Sequence, residues 1–417
     1  MNVSMGKRWG MLLISFSALI GVFIPYVGQS TQLSSIIEDL GISHTQAGLF
    51  GSVTALLGGI VLPFAGGLVE KWGAKKIIII GLIISIISQF MFAYTPTYPL
   101  MVLAKAIGGI GVGLLFVGPY TLAVQWFEDI GNNGLALGVM FSSDGIGTAF
   151  AVYLYAYVFL VMDWRDGMAV GGGFLLVILL IIFFLLKEPP KLQEEKDDYD
   201  SSDSDNKIGF TDYIKVLTTK NALIAVSFFV AEWGIYAVVG NWAPTIFIEG
   251  AGWSESLAGF MSALYALVGI IPAIIFGFIS DKMGKRKPFF VIAALWMTLS
   301  VTLTAIAIAN NAFLAAAIFM MFIGIGVYTG MPIILALATE TVGSKRIGLL
   351  NGIVLGTGFL VGGFVYPAIM GYVKDITGAY TNGFIGIAIA TLILAFGVSL
   401  FADDVKKTSE SGKKITS

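Results

Sequence analysis

Cysteine is absent from this chain of 417 residues, and histidine occurs once, as His44 in a predicted loop. Without cysteine the chain can form neither a disulfide framework nor a thiolate metal site. Charged residues are scarce as well, at 12% of the sequence against about 25% in soluble domains. A chain that is 57% apolar, with a mean hydropathy of +0.89, cannot cover its surface for water, which excludes an ordinary soluble protein.

Twelve apolar segments lie between clusters of charged and turn residues. Their lengths of roughly 18 to 27 residues are sufficient for helices to cross a hydrocarbon core of about 30 Å. A transmembrane strand needs only half that length, so an all-α membrane protein is predicted. Spans 1 to 12 are predicted at residues 9–28, 47–69, 77–94, 100–125, 135–161, 167–186, 222–248, 257–280, 289–309, 313–338, 348–373 and 382–401.

The lysines and arginines predict the orientation. If the N-terminus is cytoplasmic, all 24 basic residues fall in cytoplasmic segments except Lys105, Arg165 and Lys374. This asymmetry predicts a multi-pass protein of the cell (plasma) membrane with both termini in the cytoplasm.

An acidic stretch rich in serine and aspartate separates spans 6 and 7. Such a composition is typical of a solvated, flexible linker, and we favour a plain tether over a regulatory segment. The sequence therefore predicts four parts. They are an N-terminal six-helix bundle at 1–186, a cytoplasmic acidic linker at 187–221, a C-terminal six-helix bundle at 222–402 and a cytoplasmic tail at 403–417.

The two halves repeat a charged turn. GGLVEKWGAKK occupies residues 66–76 after span 2, and GFISDKMGKRK occupies residues 277–287 after span 8. At a nearly constant separation, GVGLLFVGPY at 111–120 also matches GIGVYTGMP at 324–332. Two copies in the same orientation predict two pseudo-symmetric bundles related by an axis along the membrane normal.

Twelve spans arranged as six plus six, a long central loop and the doubled pattern G-x-x-x-[DE]-K-x-G-x-[KR]-K resemble the major facilitator superfamily of secondary transporters. The resemblance implies alternating access, in which the two bundles rock about a central site. It also implies that spans 1, 4, 7 and 10 line the cavity. No phosphate loop, metal cluster or nucleophile–histidine arrangement in the sequence supports an enzyme.

The doubled turn is a candidate gate. The resemblance implies that it fastens the two bundles on the cytoplasmic side in the outward-facing state, whereas a purely topological role is the alternative. The motif residues are Gly66, Glu70, Lys71, Gly73, Lys75, Lys76, Gly277, Asp281, Lys282, Gly284, Arg286 and Lys287, and the candidate partners are Glu128, Asp129 and Glu340.

Three ionisable residues fall inside predicted spans, where each costs about 2.5 to 3.5 kcal/mol near the centre. Asp144 in span 5 and Glu232 in span 7 are candidate proton sites, although a structural hydrogen bond would also explain Asp144. Lys105 in span 4 is a candidate to hold a substrate carboxylate or to pair with Asp144; snorkelling to the outer surface is the alternative.

Aromatic and amide residues complete the candidate substrate site, with membrane-interface anchoring or packing as the alternative for each. They are Tyr26, Gln29, Gln32, Tyr120, Trp233, Tyr236, Asn241, Tyr265 and Tyr328.

On this resemblance the sequence predicts a secondary active transporter that moves a small polar solute together with protons. It is expected to act as a monomer in the lipid bilayer, without cofactor, metal ion or nucleic acid. Lys105 argues for an organic anion as the solute, whereas Asp144 and Glu232 argue against one. A solute exchanger and a proton-coupled drug exporter are alternatives, although span 5 lacks the proline of an export motif. Outside the carriers, the alternative is a transporter-like sensor.

Overall fold

A computed structural model describes residues 4–127, 133–189, 218–342 and 347–404, together with residue 216. The regular elements in these residues are all helical. They are α1 (Met5–Val27), α2 (Leu33–Leu40), α3 (His44–Trp72), α4 (Ala74–Tyr94), α5 (Tyr98–Phe127), α6 (Asn133–Val158), α7 (Trp164–Leu185), α8 (Lys220–Ala251), α9 (Glu255–Val268), α10 (Ile270–Met283), α11 (Lys287–Ala309), α12 (Phe313–Val342), α13 (Ile347–Thr357), α14 (Phe364–Thr377) and α15 (Thr381–Thr391). A 3₁₀ turn at Gly28–Gln32 precedes α2, and π-helical segments at Gly358–Gly363 and Leu392–Gly397 follow α13 and α15.

Ten stretches of the described residues are long and apolar enough to cross a membrane, and they coincide with predicted spans 1 to 4 and 6 to 11. Span 5 corresponds to α6, which has 26 residues, and span 12 to the shorter apolar helix Thr381–Gly397. The predicted all-α membrane protein is thereby confirmed. Most of the predicted linker, residues 190–215, and most of the predicted tail, residues 405–417, lie outside the described residues.

The exterior of the helices is strongly apolar. Phe64 on α3, Phe184 on α7 and Phe278 on α10 are each about two-thirds exposed. Phenylalanine is rarely left in water to this extent, but a lipid chain covers it without cost. The surface therefore has the character of a lipid-facing belt.

Residues 28–40 differ from the sequence prediction, which treated the region after span 1 as a loop. The chain continues from α1 through the 3₁₀ turn into α2, where Leu33 and Ile36 are buried while Glu38 and Asp39 are exposed. Apolar residues three positions apart followed by acids are typical of a short amphipathic helix. The 3₁₀ turn and α2 thus form a helical connection between α1 and α3.

The start of α3 is fixed by a capping box. The Ser43 hydroxyl accepts a hydrogen bond from the backbone N–H of Gln46 at 3.2 Å, and the Gln46 side chain accepts from the backbone N–H of Ser43 at 2.9 Å. Both interactions satisfy backbone donors that the first turn leaves unpaired. His44 is consequently held at the first residue of the helix.

Glycines allow neighbouring helices to approach closely within each half. A Cβ added to Gly113 on α5 would lie 2.8 Å from the carbonyl oxygen of Gly58 on α3. In the second half, a Cβ added to Gly324 on α12 would lie 1.8 Å from the carbonyl oxygen of Tyr265 on α9. Spans 2 and 4 thus pack in the same way as spans 8 and 10, as small residues permit in membrane helices.

Gly324→Ala is expected to lower the stability of the purified protein by about 1 to 3 kcal/mol, because the new methyl group meets backbone rather than a movable side chain. The measurement is the melting temperature in detergent. Gly386→Ala is the matched control, since an added Cβ there meets nothing within 4 Å. Equal melting temperatures for the two variants would contradict this packing.

Candidate substrate and proton site

Five aromatic residues, here called the central aromatic cluster, fill the interface between the halves: Tyr26, Trp233, Tyr236, Tyr265 and Tyr328. Tyr236 on α8 is at the centre, and its ring centroid lies 4.9 Å from that of Trp233. The ring of Tyr26 on α1 stacks with that of Tyr236 at a centroid distance of 6.4 Å and an interplanar angle of 12°. The rings of Tyr265 and Tyr328 lie 6.1 Å and 6.4 Å from that of Tyr236. All five are buried.

Asp144 meets this cluster from the first half. The Tyr236 hydroxyl donates to Asp144 Oδ1 at 3.3 Å and lies 2.5 Å from the hydroxyl of Thr148, one turn further along α6. Asp144 is only 7% exposed. A carboxyl group of one half and a phenol of the other therefore share a hydrogen bond in the buried interface.

Glu232 lies one turn before Tyr236 on α8, so the two side chains share a helix face. It is 1% exposed, and neither carboxyl oxygen makes a hydrogen bond of normal geometry with any described residue. The backbone of Met331 on α12 is nearby. An unpaired charge is costly at such a position, so the group must carry a proton or face a cation.

Lys105 on α5 is completely buried and therefore does not snorkel to the surface. Its ammonium group donates to the carbonyl oxygen of Pro25 at 3.0 Å and to Gln29 Oε1 at 2.7 Å. It also lies 4.3 Å from the centroid of the Phe92 ring, a distance typical of cation–π contacts. Gln29 in turn donates to Asn241 Oδ1 at 3.1 Å, so this chain of hydrogen bonds reaches the second half.

Three further residues of this region were not predicted. Thr148 bonds Tyr236, Phe116 lies 6.1 Å from the Trp233 ring, and Phe359 lies 4.4 Å from it. Phe116 is one turn before Tyr120 in a predicted cavity-lining span, which is a signal that sequence reasoning had available. Tyr120 itself donates to the carbonyl oxygen of Met140 at 3.4 Å, within the first half.

In the doubled turn, two of the motif glycines adopt a conformation that favours glycine. Gly73 and Gly284 both have positive φ, at 89° and 63°. At Gly66 and Gly277 an added Cβ would meet nothing within 4 Å. Lys71, Lys76 and Lys282 are exposed.

An acid from the end of each half binds the helix that follows the turn. Glu188 accepts a hydrogen bond from the backbone N–H of Lys75 at 3.1 Å, and Asp404 accepts from the backbone N–H groups of Arg286 and Lys287 at 2.8 Å each. A carboxylate at a helix N-terminus is stabilised by the free N–H groups and the helix dipole. The two acids follow spans 6 and 12, so the arrangement is repeated in the two halves, although neither acid was predicted.

Arg286 also donates to the predicted partner Glu340, with Nη2 and Oε1 separated by 3.0 Å. Lys75 donates through its ammonium group to the carbonyl oxygens of Phe183 and Leu186. Each of these contacts stays within one half. The side chains of Glu70 and Asp281, and residues Glu128 and Asp129 altogether, lie outside the described part of the structure, so the predicted gate between halves stays a prediction.

Further polar contacts between the halves lie at the opposite end of the helices, here called the His44 face. The imidazole Nδ1 of His44 lies 3.1 Å from Asp375 Oδ1, and Nε2 lies 3.1 Å from Glu249 Oε1. Nearby, Glu255 accepts from Gln32 at 2.6 Å and from Ser35 at 3.1 Å. The two halves are therefore fastened together at the His44 face.

With this geometry established, the family can be assigned. The family model described as Major Facilitator Superfamily matches residues 10–354 and 224–416. The chain belongs to this superfamily. It superposes on the D-xylose-proton symporter with a TM-score of 0.77, covering 95% of this chain and 98% of that one at 17% identity, and this likeness shows the fold.

Two curated relatives differ in extent. Quinolone resistance protein NorA of Staphylococcus aureus is 37% identical over 99 residues, so this chain spans about a quarter of its length, 24%. The probable sulfoacetate transporter SauU of Cupriavidus necator is 24% identical over 413 residues, which covers 94% of each chain. The superfamily and the structural neighbours are transporters, not enzymes.

Tyr236→Phe is expected to destabilise the purified protein by about 1 to 3 kcal/mol, because Asp144 and Thr148 lose their buried partner. Tyr366→Phe is the matched control, since the Tyr366 hydroxyl is buried and makes no hydrogen bond with the described residues. The measurement is thermal unfolding of both variants in one detergent. A larger loss for Tyr366→Phe would show that the Tyr236 hydroxyl is not a fastening between the halves.

Proposed function

We propose that this superfamily member is a secondary active transporter of the plasma membrane that couples a small amphipathic solute to protons. The observation that carries the proposal is a pair of buried carboxyl groups beside Tyr236: Asp144 from the first half and Glu232 from the second. Ionisable groups in a membrane interior are typical of proton relays and substrate pathways. The distribution of basic residues supports a cytoplasmic N-terminus.

Alternating access gives the two carboxyl groups a role. In the structure described here Glu232 is closed off from water and has no charged partner, which favours its neutral, protonated form. When the halves rock apart, water reaches the group and allows it to release the proton. A carboxyl group that alternates between these surroundings can link proton movement to solute movement.

The cluster also bears on the class of solute. Its aromatic faces are electrostatically negative, its nearby ionisable groups are acids, and the ammonium group of Lys105 is already engaged by Pro25 and Gln29. These features favour a neutral or cationic amphipathic solute. The argument for an organic anion loses strength because it depended on a free Lys105.

Proton symport is retained as the leading proposal, and proton-coupled export of organic cations is the second candidate. The second is favoured by the same two acids and by the relative named for quinolone resistance. A cation that displaces the coupling proton is exported as protons enter, whereas a neutral solute travels with the proton. Flux measured in both directions separates the two.

Glu232→Gln is expected to abolish solute accumulation driven by a pH gradient while leaving solute exchange without a gradient in place. Glutamine keeps the shape and polarity of the side chain but cannot release a proton. The measurement is transport in proteoliposomes, with Glu38→Gln as the matched control at an exposed acid. Unchanged accumulation in Glu232→Gln would remove this residue from the coupling step.

A panel of radiolabelled solutes of equal size tests the class. Neutral and cationic aromatic compounds are expected to raise the melting temperature and to be transported, whereas matched organic anions are not. If only the anions bind, the proposal that the central aromatic cluster and its acids favour neutral or cationic solutes is wrong. If no compound in a broad panel is bound or transported, the carrier proposal itself fails.

A further inference from the structure

The His44 face holds the single histidine of the chain at the junction of the two halves. His44 begins α3 in the first half, while Glu249 ends α8 and Asp375 ends α14 in the second half. The histidine and both acids are partly buried, with side-chain exposures of 22% to 24%. Water therefore reaches the site, although the contacts themselves are largely covered.

Asp375 binds the start of α3 in addition to the imidazole. It accepts hydrogen bonds from the backbone N–H groups of His44 and Thr45 at 2.9 Å and 2.8 Å, and from the Thr45 hydroxyl. These N–H groups belong to the unpaired first turn of the helix. A carboxylate of the second half thus caps a helix of the first, and this contact does not depend on the state of the imidazole ring.

The ring contacts do depend on that state. Nδ1 faces Asp375 Oδ1, and Nε2 faces both oxygens of Glu249, at 3.1 Å and 3.2 Å. Ionised carboxylates only accept hydrogen bonds, and a neutral imidazole has just one N–H to donate. Both contacts can be satisfied together only when the ring carries two protons and is positively charged.

The other charged and titratable groups around His44 support this arrangement. Lys374 lies 3.5 Å from Glu249 Oε2, and the Tyr380 hydroxyl donates to the same oxygen at 2.9 Å. Burial, and then the negative charge of Glu249, raise the pKa of Tyr380, so this phenol remains a donor. Glu249 is thereby held as an ionised acceptor for the imidazole.

We propose that His44 is a second proton-binding site, at which a proton taken from the solution on the His44 face locks the two halves together. This inference rests on the proposed function, because the lock acts in a proton-coupled alternating-access cycle. With the proton bound, both acids are engaged and the face is closed. Loss of the proton removes one hydrogen bond and the positive charge between two carboxylates, so the face opens more readily.

The absence of cysteine makes a clean test available. Ser52 lies eight residues after His44 on α3, roughly 12 Å deeper; it is buried, and its hydroxyl makes no hydrogen bond with any described residue. Helical spacing puts it on the face of Gly48, where an added Cβ would lie 2.7 Å from the carbonyl oxygen of Pro367. A Ser52→Cys reporter should therefore react with a membrane-impermeant maleimide from the His44 face only when the halves separate.

The reaction rate of the Ser52→Cys reporter is measured against that of Thr97→Cys, an exposed residue between α4 and α5 on the same face. The ratio corrects for the effect of pH on thiol reactivity. Intact cells and inverted vesicles are both labelled, and the preparation in which Thr97→Cys reacts is the one used. This choice also fixes the orientation of the protein.

With His44 present, the ratio is expected to rise about tenfold between roughly pH 5.5 and pH 9.5, as a charge-assisted hydrogen bond is lost. In His44→Gln it should be high and independent of pH, since glutamine cannot bridge both acids as a cation. Glu249→Gln provides a second variant and should reduce the pH dependence. A ratio independent of pH with His44 present, or an unchanged pH dependence in His44→Gln, overturns the proposal.

The labelling requires no solute and no transport, so its outcome is separate from that of the proposed function. If Glu232→Gln loses coupled accumulation but the labelling ratio does not change with pH, the proposed transport function stands and the proton lock at His44 is wrong. If no solute is transported but labelling follows pH through His44, the lock stands and the carrier proposal fails.

Discussion

A charged or polar group inside a membrane has no water to bind, so its partner must come from another helix of the same protein. This constraint governs the arrangement of the interface between the halves. Lys105 is held by two oxygens and a phenyl ring, and Asp144 is held by Tyr236 across the interface. The Asp144 contact is a condition on how the halves sit together, whereas the Lys105 contacts hold helices of the first half to one another. The polar groups therefore specify the closed arrangement, while the apolar helix surfaces only keep the protein in the bilayer.

Sequence patterns were sufficient for the helices because apolar length and charge distribution reflect the bilayer directly. All twelve predicted spans correspond to helical segments, with ends that differ by a few residues. The charged turn itself was visible in the sequence, and its glycines Gly73 and Gly284 have positive φ, which glycine adopts without strain. These features depend on local residue chemistry and on the apolar solvent around the helices, and both can be recognised in a single sequence.

The partners of the functional residues could not be predicted in the same way. His44 was predicted to lie in a loop, with no indication of its partners. Glu249 and Asp375 are more than 200 residues away in the chain, and they meet His44 only because α3 packs against α8 and α14. Glu188 and Asp404 were assigned to a linker and a tail, yet each caps a helix of its own half. The repeat of the charged turn was visible, whereas the acids that complete it required the fold.

Helix α3 runs from His44 to Trp72, directly before Gly73 of the first charged turn, a length of about 43 Å. One continuous element thus joins the His44 face to the first charged turn. If the helix tilts as a rigid body about its middle, a movement of its first turn toward the second half moves its last turn away from that half. If α3 moves as a rigid body, tilting alone cannot carry both of its ends away from the second half at once.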